Sequence, residues 1–551
     1  MSADAYPDAL LFAAAPRPGR LARLAHALRQ PRRVLAILLA RLSGRRLRAA
    51  QAWIALVGAE HRLALPAGFA PRSEPPSALA QAGIERIDAE APEGIRIEPA
   101  GCPLILLAAP GQQIAEGAAA SISAAFADRD LHALYGDALA RPHPGAAWIP
   151  VLRPSFDRDF LHAVDAIGPV IALRRASVAG LDPIPGAAAL DLALRIAGRF
   201  GPGAVRHLPR LLAFGDVEGG REGRQAHRAA RLRVVRADLD RSGESGTGAI
   251  TEESGVIRLE RALPESRPLV SLIVPTRDRL DLLRPCIESL CHRTDWPAKE
   301  ILICDNESRD PETLTYFRAL EAEGAARVVA CPGPFDFAAI NNRVAAEARG
   351  ALLAFINNDV EAARPDWLER MVREALRPEI GAVGARLIDG EGRIQHGGIV
   401  LGTGGLVTHG HRHFPGEAVG YLSALHATRG VSAVTAACLV IEVEKFRRVG
   451  GFDAAAFRID FNDVDLCLRL NARGLRSLYV GGALLHHRES ASRRPSAEAA
   501  ARHRTEVEAL KRRWGPLLAQ DPHYHPGFDP DLATHLRLRR GWAGLEPAEP
   551  R

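Results

Sequence analysis

Residues Leu269 to Arg279 read LVSLIVPTRDR, and the fold follows from how that stretch is read. An apolar, β-branched run from Leu269 to Val274 gives way to Pro275, Thr276, Arg277 and Asp278, so a buried strand delivers polar groups at its carboxyl end. The pattern then repeats. Leu280 to Cys291 has helical spacing, and Glu300 to Cys304 is a second strand ending in Asp305, Asn306 and Ser308. Pro311 to Glu323 is a helix opened by proline, Arg327 to Val329 a third strand and Phe337 to Ala348 a further helix. Ala351 to Ile356 is a fourth strand, ending in Asn357, Asn358 and Asp359. This alternation predicts an α/β unit, a parallel sheet covered by helices, with ligands at the carboxyl ends of its strands. Polar and acidic groups gather on one rim, which points to a nucleotide site.

Further on, Phe461 to Leu470 reads FNDVDLCLRL and sets Asp463 and Asp465 at the start of a helical segment. A carboxylate in the first turn faces the positive end of the helix and stays ionised, the state a general base needs. The competing role for either aspartate is that of a helix cap.

Around these stretches the chain has 551 residues, which predicts two or more domains, and a mild formal charge of +6. The positive charge is uneven. Residues 17–48 carry many arginines and no acid, interleaved with Leu21, Leu24, Leu28, Leu35, Leu38 and Leu42. That pattern suits either a solvated basic arm or an amphipathic surface lying on anionic lipid. No apolar run approaches the roughly 18 residues needed to span a bilayer, and no cleavable leader is evident. The expectation is a cytoplasmic protein with peripheral contact at the inner face of the membrane. The seven cysteines are scattered and never spaced C-x-x-C, which argues against a disulfide framework or zinc site. His409, His411 and His413 alternate, and the sequence leaves them as loop residues or a weak metal cluster.

Nine stretches in one order carry a resemblance. They are LVSLIVPTRDR, EILICDNES (300–308), PGPFDFAAINN (332–342), ALLAFINND (351–359), RIQHGGIVLGTGG (393–405), VSAVTAACLV (431–440), VGGFD (449–453), FNDVDLCLRL and LHHRESASR (485–493). Together they resemble family 2 glycosyltransferases, inverting enzymes of GT-A fold, in the two-module, rhamnosyltransferase-like subgroup that serves bacterial surface polysaccharide. The resemblance implies a Rossmann-like mixed α/β sheet of nucleotide-diphospho-sugar transferase type over residues 268–495. It implies a UDP- or dTDP-linked sugar donor, a glycan acceptor that lipid can carry, and a divalent cation, Mg2+ or Mn2+. No nucleic-acid partner is expected.

Residue by residue, the same resemblance puts Pro275, Thr276, Arg277, Asp278, Asp305, Asn341, Asn342 and Asn358 at the nucleotide. Asp359 and His487 fall at the metal, with His486 competing for the second place. Asp463 falls at the catalytic base, and His396, Gly451, Phe452 and Asn462 at the sugar or acceptor pocket. Two departures stand out. Asn357-Asn358-Asp359 has one carboxylate where the family's metal motif has two, and Asn462-Asp463 replaces the commoner Glu-Asp.

The first half echoes the second. VAGLD (178–182) parallels VGGFD, DLALR (191–195) parallels DLCLR (465–469), and PLILLAAPGQ (103–112) parallels ALLAFINND. In that alignment Ala189 stands where Asp463 does. The expected organisation is therefore a basic segment 1–65, a degenerate GT-A-like module 66–218, a bridge 219–267, the catalytic domain 268–495, and a helix and tail 496–551. Two other functions compete: a nucleotidyltransferase, which would need a Gly-rich phosphate loop after the first strand, and a catalytically inactive carbohydrate-binding or scaffold protein.

Overall fold

In a computed structural model, residues 69–545 are described together with Leu63 and Leu65, apart from 90–94, 142, 217–220, 245–249, 254–255, 489–495 and 531–532. The basic stretch 17–48 and the last residues of the LHHRESASR block lie outside them.

Two mixed sheets organise the chain. The first joins β1 (Ile84–Asp88), β2 (Leu104–Ala108), β3 (Gln113–Ile114), β4 (Ala133–Arg141), β5 (Ile149–Val151), β6 (Val170–Arg174) and β7 (Val205–Asp216) in the order β1-β2-β6-β4-β7-β3, with β5 on β4. A small hairpin follows, β8 (Ile250–Glu253) and β9 (Val256–Leu259).

The second sheet opens with four parallel strands: β10 (Val270–Thr276), β11 (Lys299–Asp305), β12 (Arg327–Ala330) and β13 (Leu352–Ile356). It is completed by β14 (Val360–Ala362), β15 (Ile380–Ile388), β16 (Ile394–His396), β19 (Thr428–Val431), β20 (Cys438–Glu442) and β21 (Arg476–His487), while β17 (Ile399–Leu401) and β18 (Val407–His409) form a separate hairpin. The order is β12-β11-β10-β13-β20-β15-β21-β14, with β16 on β15 and β19 on β21. Strand β10 is buried at all seven positions, as its predominantly apolar, uncharged sequence requires.

The two sheets share one plan. In each, a parallel pair (β1 with β2; β10 with β13) leads to an antiparallel strand (β6; β20). Next come a further antiparallel strand (β4; β15), its parallel partner (β7; β21) and a short antiparallel edge (β3; β14). Chain order matches as well. The helices fall in step: Ala188–Phe200 before β7 answers Asn462–Asn471 before β21, and Arg221–Arg241 after β7 answers Ala497–Trp514 after β21. The fold class is thus a GT-A-type mixed α/β module preceded by a reduced copy. Among the described residues the copy has no counterpart of β11 and β12, so there β1 occupies an edge where β10 is central.

The apolar layers explain the helix placement. One layer packs Leu283, Ile287 and Leu290 of the helix Leu280–His292 and Trp367, Met371 and Val372 of the helix Trp367–Ala375 against one sheet face. The opposite face is covered by Ala338, Ile340 and Val344 of Phe337–Glu347 and by Val464, Leu466, Cys467 and Leu468 of Asn462–Asn471. All seven cysteines are free.

The modules meet through charge. Asp159, buried in the helix Arg158–Ala163 of the first module, lies 2.6 Å from Arg377, 2.7 Å from Arg476 and 3.6 Å from Arg261. Asp157 accepts from the Gly430 N–H across the same junction at 2.6 Å. A second tie comes from the C-terminal segment, where His525 Nε2 sits 2.9 Å from Asp137 Oδ2 and His207 Nε2 3.0 Å from Asp137 Oδ1. These three residues have metal-ligand proximity. However, His525 Nδ1 accepts from the Gly527 N–H at 2.9 Å, so the ring proton is on Nε2, pointed at Asp137. That is a hydrogen-bonded latch rather than an ion cage. No helix among the described residues is long and apolar enough to cross a membrane.

Candidate active site

The rim at the carboxyl ends of β10, β11 and β13 is built by strand register. Asp305 closes β11 opposite Thr276 of β10. Thr276 Oγ1 accepts from Asn358 Nδ2 at 2.9 Å, which ties the ends of β10 and β13 together. Asp278 and Arg279 both adopt left-handed backbone, at φ 52 and 53, and this turns the chain sharply into the next helix. The turn is held by Asp278 Oδ1, which accepts from the N–H groups of Arg309 and Asp310 at 2.7 and 2.9 Å, and by Asp305 Oδ1, which accepts from Ser308 N–H at 2.8 Å. Arg277 is exposed beside it, and Pro275 and Thr276 are buried.

Asp359 follows β13, and its neighbour in space is set by β14, where Val360 pairs with His487 and Glu361 with His486. Strand alternation makes the two histidines unequal: His486 is exposed and His487 buried. His487 Nε2 lies 3.2 Å from Asp359 Oδ1. Asp359 is only 7% exposed, and neither its Oδ1 nor His487 Nδ1 has a hydrogen-bond partner. Two buried polar atoms left unsatisfied in one place call for a ligand, and an oxygen and an imidazole suit a divalent cation. Arg279, which the sequence reading left out of the site, lies close enough to Asp359 for that carboxylate to help raise its pKa, although its bidentate pair with Asp281 contributes more.

Asp463 lies in the first turn of the helix Asn462–Asn471 and is half-buried. Its Oδ2 accepts from Ala436 N–H at 3.0 Å and its Oδ1 from Val464 N–H at 2.8 Å. Ala437 O in turn accepts from Asn357 N–H at 3.1 Å, so one strand opening carries the contact from the Asp463 carboxylate to the end of β13. Burial pushes the Asp463 pKa up, against the lowering hydrogen bonds from Ala436, Val464 and Thr435. Thr435 and Ala436 are supports that the sequence reading did not single out. The signal was present in VSAVTAACLV, but which atoms face Asp463 is decided by the pairing of β20 with β13.

Other expected residues are committed elsewhere. Asn342 uses its whole amide on Phe452: Nδ2 donates to Phe452 O at 2.7 Å and Oδ1 accepts from Phe452 N–H at 2.9 Å. Asn341 is fully buried and donates to Phe337 O, and Asn462 is buried and donates to Ile459 O. Phe452 is core, packed among Phe337, Phe355 and Phe446. Gly451 is needed for close approach, since a Cβ there would fall 2.6 Å from Asn342 Oδ1 at φ +69. His396 is fully buried, with Nδ1 2.8 Å from His409 Nδ1 and its pKa pushed down to about 3 by burial first and by Arg429 and His487 next.

A mixed sheet with a carboxylate and a histidine at the end of β13 and a second carboxylate on the helix before the last strand defines a GT-A-type module. Residues 271–397 match the family model described as Glycosyl transferase family 2. The second module therefore carries a family 2 glycosyltransferase domain. It is similar to the uncharacterized protein y4gI of Sinorhizobium fredii (strain NBRC 101917 / NGR234), 38% identical over 392 residues covering 68% of this chain and 43% of that protein. It is also similar to the O-antigen biosynthesis protein RfbC of Myxococcus xanthus, 36% identical over 436 residues covering 77% of this chain and 33% of that one. The chain thus spans less than half the length of these curated relatives. Among solved structures, GalNAc-T7 with UDP, GalNAc and Mn2+ aligns with a TM-score of 0.38 and 17% identity, over 53% of this chain and 57% of that one.

Proposed function

We propose that the second module transfers a sugar from a nucleotide-diphosphate donor to a hydroxyl of a glycan acceptor, with inversion at the anomeric carbon. The observation that carries this reading is the unsatisfied Asp359–His487 pair at the end of β13, joined to Asp463 through the opening of β20. In this reading the rim of Thr276, Asp278 and Asp305 receives the nucleoside, and Asp359 with His487 holds Mg2+ or Mn2+. A cation at that place offsets the charge of the departing diphosphate. Asp463 takes the proton from the acceptor hydroxyl as that oxygen attacks from the face opposite the leaving group. Its raised pKa supports the role, because a carboxylate that is less acidic than usual is a stronger base. Direct displacement needs no covalent sugar intermediate, so configuration inverts.

The first module supplies no such chemistry in this reading. Ala189 takes the place of Asp463, and among the described residues no strand answers β11, whose end carries Asp305. Its role is to brace the catalytic module through Asp159 and to present acceptor or partner surface. Surface-polysaccharide assembly at the inner face of the cytoplasmic membrane, with residues 17–48 on the lipid, completes the proposal.

The test is a screen of UDP-, dTDP- and GDP-linked sugars for binding, hydrolysis and transfer, with and without Mn2+, beside Asp463→Asn. The variant is expected to bind donor normally and to lose about a hundredfold to ten-thousandfold in transfer rate. Transfer at the parental rate overturns the assignment of the base, and the absence of any donor binding overturns the reading as a whole. Deleting residues 1–43 is expected to abolish binding to anionic liposomes; undiminished binding removes the membrane contact.

A further inference from the structure

Away from the rim, β15 and β21 break register. Ala385 pairs with Val480, but the next residue, Arg386, pairs with Leu484, so Gly481, Gly482 and Ala483 are looped out of the ladder. The sheet opens at this bulge into a cavity of about 130 Å3, closed on one side by the hairpin strand β9. Glycine is needed here: a Cβ on Gly482 would lie 2.4 Å from Arg370 Nη1, and one on Gly481 would meet the His426 backbone at 2.5 Å.

Arg258, Arg364, Arg370, Arg373 and Arg386 line this cavity, against two lining acids, Glu260 and Glu374. The acids are largely engaged. Glu374 is held by Arg261 at 2.9 Å and Arg377 at 2.7 Å. Asp366, just outside, is shared among Arg370 at 2.7 Å, Arg364 at 3.2 Å and Arg258 at 3.9 Å. Arg386 is the decisive residue. It is 8% exposed, its Nε has no hydrogen-bond partner, and its Nη1 lies 3.2 Å from His426 Nε2. A guanidinium only donates, so His426 presents a bare Nε2 and is neutral in that contact. Among the described residues no ion pair joins Arg386 to a carboxylate. A permanently charged group, nine-tenths buried and without a counter-charge, is costly unless an anion supplies one.

We propose that this cavity is a second binding site, for an oxyanion of the phosphate or diphosphate class, separate from the donor site. The planar fork of Arg386 suits two oxygens of one phosphate, while the other four lining arginines are held by carboxylates, Arg258 by Glu260, Arg373 by Glu369, and Arg364 and Arg370 by Asp366. Gly482 is five residues along β21 from His487, roughly 16 Å of extended strand, so the site is too far to share the cation at Asp359. The same chemistry reaches the protein from two sources, a free phosphorylated solute or the phosphate of a lipid headgroup. The inference does not depend on the proposed transferase reaction.

The test uses the full chain with EDTA and no divalent cation, titrated calorimetrically with inorganic phosphate and with pyrophosphate at constant low ionic strength. Saturable pyrophosphate binding is expected, at least tenfold weaker in Arg386→Gln and unchanged in Asp359→Asn. If Arg386→Gln does not fold, Arg364→Gln at the mouth carries the same expectation. Flotation with phosphatidylglycerol vesicles, against phosphatidylcholine, separates the sources: flotation lost in the arginine variant assigns the site to headgroups, and solute binding without flotation assigns it to a soluble phosphate. No saturable binding by the parent, parental affinity in the arginine variant, or loss of binding in Asp359→Asn overturns the proposal.

Discussion

Adjacent histidines with opposite exposure give a sharp contrast at the scale of single residues. His487 faces Asp359 and His486 faces solvent. His487→Ala is therefore expected to weaken Mn2+-dependent transfer by at least tenfold. His486→Ala should leave it within about twofold, as an exposed strand position away from the site. Equal losses in the two would break the register argument. Asp463 gives a pH prediction. As its pKa is raised by burial, the acid limb of a kcat/KM profile should lie at higher pH than for an unperturbed aspartate. A profile flat down to pH 4 would contradict this. The same sign has a stability consequence: a carboxylate with a raised folded pKa favours the fold only when protonated, and that gain is lost as pH rises through the folded value. At neutral pH, Asp463→Asn should not lower Tm. The residues at the strand ends were legible because polar groups after apolar runs are a local pattern. The two hydrogen bonds between Asn342 and Phe452 and the burial of His396 were not, since each depends on tertiary contacts that no local pattern shows.

Among the elements, the paired helices Ala188–Phe200 and Asn462–Asn471 separate structure from chemistry. Asp191 and Asp465 are both fully buried, and each pairs with the arginine one turn on, Arg195 and Arg469. Each also takes an arginine from the helix that follows the last strand, Arg241 at 3.3 Å and Arg513 at 2.8 Å. Their sharing of one role was readable from DLALR and DLCLR. The matching of the two later helices was not, because Arg221–Arg241 and Ala497–Trp514 share no motif beyond a well-placed arginine. Removing the Asp465 charge takes from Arg469 its carboxylate and from Arg513 one of two, the other being Asp453 at 2.8 Å, at a fully buried position. Asp465→Asn should therefore destabilise by on the order of 3 kcal/mol, read as a fall in Tm. Parental stability in that variant would mean that the shared Asp–Arg geometry is incidental.

Taken whole, the molecule is two sheets locked by Asp159. Its carboxyl is held well below the usual range by Arg377, Arg476 and Arg261, which together outweigh the opposing effect of burial. A lowered pKa means that the stabilisation is present above the unfolded value, about 4, and is lost as pH falls through the lower folded one. Asp159→Asn should cost on the order of 3 kcal/mol at neutral pH and should split the calorimetric transition in two as the modules uncouple. A single transition at the parental temperature would show that the junction is held by other contacts. This long-range lock was invisible in the sequence, where Asp159 and Arg377 are separated by 218 positions.

The edge position of β1 carries one more consequence, for solubility. Among the described residues no counterpart of β11 or β12 joins the first sheet, and β1 pairs only with β2, so the other side of β1 has no strand partner there. Its counterpart β10 is buried throughout and carries no charge, whereas β1 reads IERID, with Glu85 and Arg86 exposed and Glu85 tied to Arg175. Charge on an edge discourages other chains from adding a strand there. A strand position that is interior in the second sheet is thus a guarded margin in the first, and replacing Glu85 and Arg86 with valine would turn that margin into a seed for aggregation.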